Sequence, residues 1–198
     1  MLYTRVDYLF IEKFLGATDL GRYAVPVRLT ETCYFIPLLV SNSLFPGLVK
    51  ASLFNPHTYT KRLSQIYFFV TWVMAGIGLS LALLSYPLVM WLYGAPYAPA
   101  ARVLSIYVWN VIPAGILTVL IKWLVNEDQY KICMLGYAVG LIINICALFY
   151  AVPNLGLTGA ALASILSLPT GMTIVLSLTG EGRKHLKLIL QAITTYPF

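Results

Sequence analysis

ICMLGYAVGLIINICALFYAVPNLGLTGAALASILSLPTGMTIVLSLTG, residues 132–180, runs through 49 positions without a charged side chain. A helix needs about 20 mostly apolar residues to cross the hydrocarbon core of a membrane, so this run is too long for one crossing and long enough for two. At its centre stands VPNLG, residues 152–156, where proline and glycine interrupt a helix. The run therefore predicts two spans, 132–152 and 157–179, joined by a tight turn.

The composition of the whole chain agrees with a bilayer as its solvent. Of the 198 residues, 60% are hydrophobic and 10% are charged, whereas a soluble domain carries roughly 25% charged residues. The apolar runs are continuous and about twice as long as the alternating strands of an outer-membrane barrel. The sequence therefore predicts an all-α integral membrane protein.

Further apolar runs precede residue 132, and short connections separate them. The apolar runs cover residues 1–15, 25–49, 66–93 and 103–121. With the two spans above, they predict about six transmembrane helices. The predicted connections are residues 16–23, 51–62, 94–99 and 126–131. Residues 1–180 would form one bundle, and residues 181–198 a basic tail that is an interfacial amphipathic helix or the start of another span.

The distribution of Lys and Arg predicts the orientation of the spans, because cytoplasmic loops carry the excess of these residues. One set of loops holds eight of them: Lys50, Lys61, Arg62, Lys122, Lys131, Arg183, Lys184 and Lys187. The opposite loops hold four: Lys13, Arg22, Arg28 and Arg102. Both ends of the chain are therefore predicted on the cytoplasmic side.

Prolines inside the predicted spans mark candidate kinks, because each removes a backbone hydrogen bond. They are Pro37, Pro46, Pro87, Pro113 and Pro169. Small residues recur every fourth position in the last two spans, as Gly136 and Gly140 and as Gly159, Ala163 and Ser167. This spacing places small side chains on one helix face, where neighbouring backbones approach closely. We interpret these faces as packing surfaces, with sliding between moving helices as the alternative.

Charged side chains within a predicted span are costly in hydrocarbon and mark candidate functional groups. Arg5 and Asp7 lie two residues apart, on nearly opposite sides of a helix, and cannot simply neutralise each other. Asp7 then needs a partner on another helix, a coupling cation or a proton, unless both residues face headgroups at a helix end. Arg28 and Glu31 have the i, i+3 spacing of an ion pair, whereas an unpaired Arg28 would attract an anionic group.

Uncharged polar residues in the spans give further candidates. Asn42, Asn110 and Asn144 either link helices by hydrogen bonds or line a polar path. Lys122 is expected to extend its amine to the membrane interface.

The sequence predicts that the protein is not an enzyme and holds no cofactor or metal. It contains no Ser/His/Asp arrangement, no phosphate-binding glycine loop and no paired acidic motif. Its three cysteines and two histidines lack metal-ligand spacing. The net charge of +6 is spread between apolar runs, which argues against nucleic acid as a partner.

Several short motifs, in their order, resemble the second half of one family of membrane transporters. The first are RVDYLF at 5–10, LG at 15–16, GRYA at 21–24, RLTE at 28–31, YFIP at 34–37 and SLFP at 43–46. Then follow LYG at 92–94, Tyr97, AARVL at 100–104, Asn144 and PNLGLTGAA at 153–161. Over nearly its whole length the chain resembles the polysaccharide flippases, Wzx-type O-antigen and exopolysaccharide transporters of the MATE and lipid II flippase superfamily.

The resemblance implies two bundles of about six helices around a central site, with this chain as the C-terminal half. It implies a multi-pass protein of the cytoplasmic (inner) membrane that moves lipid-linked oligosaccharide by alternating access, together with an N-terminal half. The anionic diphosphate of such a substrate implies cationic and polar binding residues, here Arg5, Arg28, Lys122, Asn110 and Asn144. Asp7 and Glu31 are the candidates for proton or sodium coupling.

Other functions stay open from the sequence. A multidrug or lipid II transporter of the same superfamily is the nearest alternative. A membrane-bound transferase or ligase is disfavoured by the short loops, which lack acidic and histidine clusters. A non-catalytic membrane subunit of glycan assembly is the third.

Overall fold

The computed structural model describes residues 5–54 and 56–194, without the side chains of residues 49–54, 56 and 57. Residues 1–4 of the first predicted span, Asn55 of the second predicted connection and the side chains of Lys50 and His57 lie outside the described part. The helices are α1 Val6–Leu15, α2 Ala17–Thr32, α3 Phe35–Phe54, α4 Pro56–Leu83, α5 Ser85–Tyr93, α6 Ala98–Tyr107, α7 Val111–Asn126, α8 Tyr130–Leu178 and α9 Gly180–Thr194. Short 3-10 helices at Ala95–Tyr97 and Val108–Asn110 precede α6 and α7.

The all-helical fold class is confirmed, since every regular element in the described ranges is a helix. Three helical segments among these residues are long and apolar enough to cross a membrane: Thr58–Leu83, Ala95–Asn126 and Tyr130–Leu178. They support a membrane protein. These three segments do not establish the predicted number of about six passes, which stays a prediction.

Helix α8 is a hairpin of two helices, with its reversal at the predicted position. Gly156 has φ 60° and ψ −140°, which lies outside the helical region and favours glycine. The first arm, residues 130–155, and the second arm, residues 157–178, then lie antiparallel. Each arm exceeds the about 20 residues that one crossing needs.

Small residues hold the two arms of α8 together. A methyl group on Gly171 would collide with the backbone of Gly140 and lie 2.9 Å from the carbonyl oxygen of Gly136. A methyl group on Gly136 would collide with the side chain of Met172. The interpretation of these faces as packing surfaces is confirmed for Gly136 and Gly140, because their missing side chains allow the second arm to approach.

Three of the five predicted proline kinks coincide with interruptions of the helical path. A proline ring clashes with the carbonyl four residues upstream and leaves it without its usual donor. Pro37 follows the break at residues 33–34, Pro87 follows the break at residue 84, and Pro113 follows the 3-10 turn Val108–Asn110. Pro46 and Pro169 lie inside continuous helices.

Several predicted boundaries were wrong by a few residues. The predicted connection 16–23 is helical from Ala17 onward, because Gly16, with φ 89°, makes the whole turn between α1 and α2. The predicted span 25–49 is divided between α2 and α3, and the span 66–93 between α4 and α5. In both cases the division lies just before a proline.

The buried hydrophobic residues form two clusters in the part of the chain whose side chains are described. The larger one joins α3, α4, α7 and α9 around Tyr67, Met74 and Leu124. The smaller one joins α1, α2 and the reversal of α8 around Ile11 and Val152. Helix α6 contributes to both clusters, and the candidate site described below lies in the smaller one.

We predict that Gly171→Ala destabilises the protein, because its methyl group meets the backbone of the first arm of α8. Overpacking of this kind costs about 1–3 kcal/mol. Gly76→Ala in α4 is the matched control, since nothing lies within 4 Å of the added methyl group. Thermal unfolding of both variants in detergent should lower the midpoint for Gly171→Ala alone, and equal midpoints would contradict the close packing of the arms.

Candidate functional site

Asp7 is a buried carboxylate in the first turn of α1, only 5% exposed. One of its oxygens accepts a hydrogen bond from the backbone N–H of Tyr8 at 3.0 Å. The other accepts from the hydroxyl of Tyr23 on α2, also at 3.0 Å. The Tyr23 hydroxyl lies 3.4 Å from the hydroxyl of Ser164 on the second arm of α8. Asp7 therefore links three elements of the fold through one tyrosine.

Four tyrosines form a chain of contacts that begins at this carboxylate, and we call them the tyrosine cluster: Tyr8, Tyr23, Tyr107 and Tyr34. The ring of Tyr23 makes edge-to-face contacts with Tyr8 and Tyr107, at centroid distances of 5.9 and 5.8 Å. Tyr34, in the turn between α2 and α3, accepts a hydrogen bond from the side-chain amide of Asn110 at 2.9 Å, and its hydroxyl also interacts with Tyr107. The cluster forms a continuous polar and aromatic path from α1 to the turn before α7.

The predicted charged residues gather at the Tyr8 end of this path. Arg5 is exposed, with its guanidinium carbon 5.1 Å from the ring centre of Tyr8. Arg28 and Glu31 also act electrostatically on Tyr8. The predicted Arg28–Glu31 ion pair is not formed, and the ion pair found within the described ranges is Arg22–Asp19 at 2.9 Å. Arg28 points outward while Glu31 is half-buried, so their spacing alone did not bring them together.

Two other predicted site residues make hydrogen bonds with neither Asp7 nor Tyr23. Asn144 is 2% exposed and donates a hydrogen bond to the Ser167 hydroxyl at 3.0 Å, which ties the arms of α8 together. The Lys122 amine donates to Asn42 and lies 5.9 Å from the ring centre of Phe45. Lys122 therefore links α7 to α3, whereas Asn110 belongs to the tyrosine cluster.

Sequence reasoning missed the tyrosine cluster and Ser164. Tyrosines are common in this chain, with 14 in all, and the four come from α1, α2, α6 and the turn before α3. The pattern that could have indicated them is their position in or beside apolar helices, where a buried hydroxyl needs a partner. Their mutual contacts depend on how α1, α2, α3 and α6 pack, which no local spacing encodes.

A second buried polar group lies on α9. His185 is 5% exposed and stacks on Trp123 of α7, with ring centres 3.6 Å apart. Its Nε2 atom is 2.9 Å from the hydroxyl of Tyr67 on α4. Burial lowers the pKa of His185 to about 4, because a charged imidazolium is poorly solvated there. His185 is thus a neutral packing residue that fixes α9 against the ends of α4 and α7.

Taken together, fold and site define a helical membrane protein with a hydrogen-bonded carboxylate between three of its elements. Within the described ranges no group of three or more His, Cys, Asp or Glu side chains could hold a metal ion. Comparison of the chain with protein-family models, curated proteins and solved structures found no match.

We predict that Tyr23→Phe destabilises the bundle, because it removes the hydroxyl that bonds Asp7 and leaves a carboxylate oxygen short of a donor. Losing a hydrogen bond to a buried charged group costs about 1.5–3 kcal/mol. Tyr150→Phe is the matched control, because Tyr150 is exposed on the first arm of α8. A lower thermal midpoint for Tyr23→Phe than for Tyr150→Phe is expected, and equal midpoints would show that the bond to Asp7 stabilises nothing.

We predict that the contribution of His185 to stability falls as the pH drops from 6.5 towards 4. His185 has an ordinary pKa of 6.5 that folding lowers to about 4, so over this interval the unfolded chain binds a proton that the folded chain does not. This loss approaches about 1.4 kcal/mol per pH unit near pH 5, is about half as steep at pH 6.5 and fades above about pH 7.5. His185→Gln should flatten the dependence of the unfolding midpoint between pH 6.5 and 5. An unchanged slope in that variant would assign the effect to other groups.

Proposed function

We propose that this chain is one helical bundle of a membrane transporter that flips lipid-linked oligosaccharide units across the cytoplasmic (inner) membrane by alternating access. The observation that carries the proposal is the Asp7–Tyr23–Ser164 connection, which joins α1, α2 and α8 at a buried carboxylate. The motif resemblance described above supplies the substrate class. The transporter's N-terminal half is the proposed partner.

A buried carboxylate of this kind is suited to ion coupling. A charge in an apolar bundle is costly unless it is paired or neutralised. Asp7 has two neutral donors and no cation within 4.0 Å in the described part of the chain. A proton or a sodium ion would neutralise it, and a protonated Asp7 would itself become a donor to its neighbours. Uptake of the ion would thus change the bonds that hold α1, α2 and α8 together.

Cationic groups beside this carboxylate supply the proposed substrate contacts. Arg5 and Arg28 are exposed, and neither has a carboxylate partner within 4.0 Å among the described residues. The hydroxyl of Tyr8, whose ring lies against Arg5, is buried and makes no hydrogen bond among the described residues. Two free guanidinium groups and one free hydroxyl can bind the oxygens of a diphosphate. We place the anionic headgroup of the substrate at this end of the tyrosine cluster, with Asn110 at the other end.

The turns and breaks between helices are the places where we propose that the helices move relative to one another. Gly16 makes a one-residue turn between α1 and α2, and the breaks before Pro37, Pro87 and Pro113 divide the longer helical paths. Helical segments that meet at such turns and breaks can change their relative angle without unfolding. In this proposal the six passes are α1, α2 with α3, α4 with α5, α6 with α7, and the two arms of α8.

The test is complementation in a flippase-null bacterial strain. The chain is fused to the N-terminal half of a polysaccharide flippase, and surface polysaccharide is measured. We expect restored polysaccharide, lost in Asp7→Asn because an amide cannot take up and release a proton. Asp19→Asn is the matched control, since Asp19 pairs with Arg22 on the surface of α2.

The outcomes separate the alternatives when membrane insertion is checked by quantifying each fusion. Full activity of Asp7→Asn would exclude Asp7 as the coupling group. Failure of the unmodified fusion, although it inserts stably, would favour a non-catalytic subunit of glycan assembly. Drug resistance in place of surface polysaccharide would favour the multidrug branch.

A further inference from the structure

A basic groove lies between the beginning of α4, the end of α7 and α9, far in the chain from Asp7. It has a volume of about 870 Å³ and is open to the outside. Its lysines are Lys61 from α4 and Lys184 and Lys187 from α9, and all three are exposed. Leu63, Trp123 and Leu188 give the same groove an apolar wall.

The lysines of the groove are electrostatically available. None has a carboxylate within 4.0 Å in the portion of the chain that the structure describes. The two carboxylates of the lining are held by neutral donors: Glu127 accepts from the Tyr59 hydroxyl at 3.2 Å, and Glu181 accepts from the Gln129 amide at 2.6 Å. His185, which also faces the groove, is uncharged at neutral pH because burial lowers its pKa to about 4. The ammonium groups therefore have no ion-pair partner in the described part of the chain, and three lysines against two glutamates leave the lining with a net positive charge.

The position of the groove indicates an amphiphilic anion. The helical segments Thr58–Leu83 and Ala95–Asn126, which are long and apolar enough to cross a membrane, contribute Tyr59, Lys61 and Trp123 to it. Helix α9 buries Gly182, His185, Ile189 and Ala192 and packs against α4 and α8. A basic helix packed at the ends of spanning helices lies where headgroups are found, and tryptophan favours the same depth.

We propose that this groove binds the headgroup of an anionic phospholipid of the surrounding bilayer. The phosphate oxygens accept hydrogen bonds from the three lysines, and the first carbons of the acyl chains contact Leu63, Trp123 and Leu188. A free phosphate ion would use the lysines but leave this apolar wall without a partner. The site is separate from the Asp7 site and does not depend on the proposed transport function.

The test measures binding of short-chain lipids to the purified full chain in detergent, followed by tryptophan fluorescence. Dihexanoyl phosphatidylglycerol should bind, whereas dihexanoyl phosphatidylcholine and inorganic phosphate should bind much more weakly. Lys184→Gln with Lys187→Gln should raise the dissociation constant for phosphatidylglycerol about 25-fold, since each lysine near an anionic headgroup contributes about fivefold. Lys131→Gln with Arg183→Gln is the matched control, because it removes two nearby positive charges that do not line the groove.

Each remaining outcome overturns the proposal. Equal weakening by both double variants would show a diffuse electrostatic attraction and no specific groove. Equal binding of inorganic phosphate would make the ligand a soluble anion. Equal binding of phosphatidylcholine would remove the role of the lysines. Size-exclusion profiles of both variants should match that of the unmodified chain, as expected for exposed lysine substitutions.

Discussion

The close approach of the two arms of α8 is the contact on which the remaining helices depend. Between helices in a bilayer there is little hydrophobic driving force, so association relies on close packing and hydrogen bonds. Gly136, Gly140 and Gly171 let the arms touch at backbone distance, and Asn144 adds a hydrogen bond to Ser167. Helices α1, α6, α7 and α9 all pack on the resulting hairpin. The placement of Tyr23 between Asp7 and Ser164, and of α9 against α4 and α8, follows from that hairpin.

Around this hairpin, several of the other helical paths are interrupted just before a proline. Prolines at 37, 87 and 113 each stand just after a break, and each break leaves a short segment that follows its own direction. Helix α6 lies between two such interruptions, at Gly94 and at Val108–Asn110. This short helix contributes Leu104 to one buried cluster and Tyr107 to the other. Helix α6 therefore joins the two buried clusters through residues three positions apart on one helix.

Much of the fold follows from local sequence, whereas the site does not. The uncharged run 132–180 and its VPNLG centre predict the hairpin, because apolar length and proline with glycine act through the backbone itself. The helix beginning at Ala17 escapes prediction because α2 is polar for its length and starts after a single glycine. Asp7 is identified by the energetic cost of a charge in an apolar helix. Its partner Tyr23 is 16 residues away in the chain, and Ser164, which contacts the Tyr23 hydroxyl, is 157 residues away. The Arg28–Glu31 spacing permits a pair that the different burial of the two residues prevents.

The two polar regions of the molecule differ in how their charges are satisfied. At Asp7 a carboxylate is enclosed, and neutral donors from two helices stabilise it, so its charge state is tied to helix packing. In the groove beside α9 the lysines are open to the outside, and the acidic neighbours are already bonded to neutral donors. At the wall of that groove, His185 stacks on Trp123 and lies within hydrogen-bond distance of the Tyr67 hydroxyl. It contributes no charge to the groove. An enclosed anion suits a group that must change state during function, whereas open cations suit a permanent contact with an anionic surface.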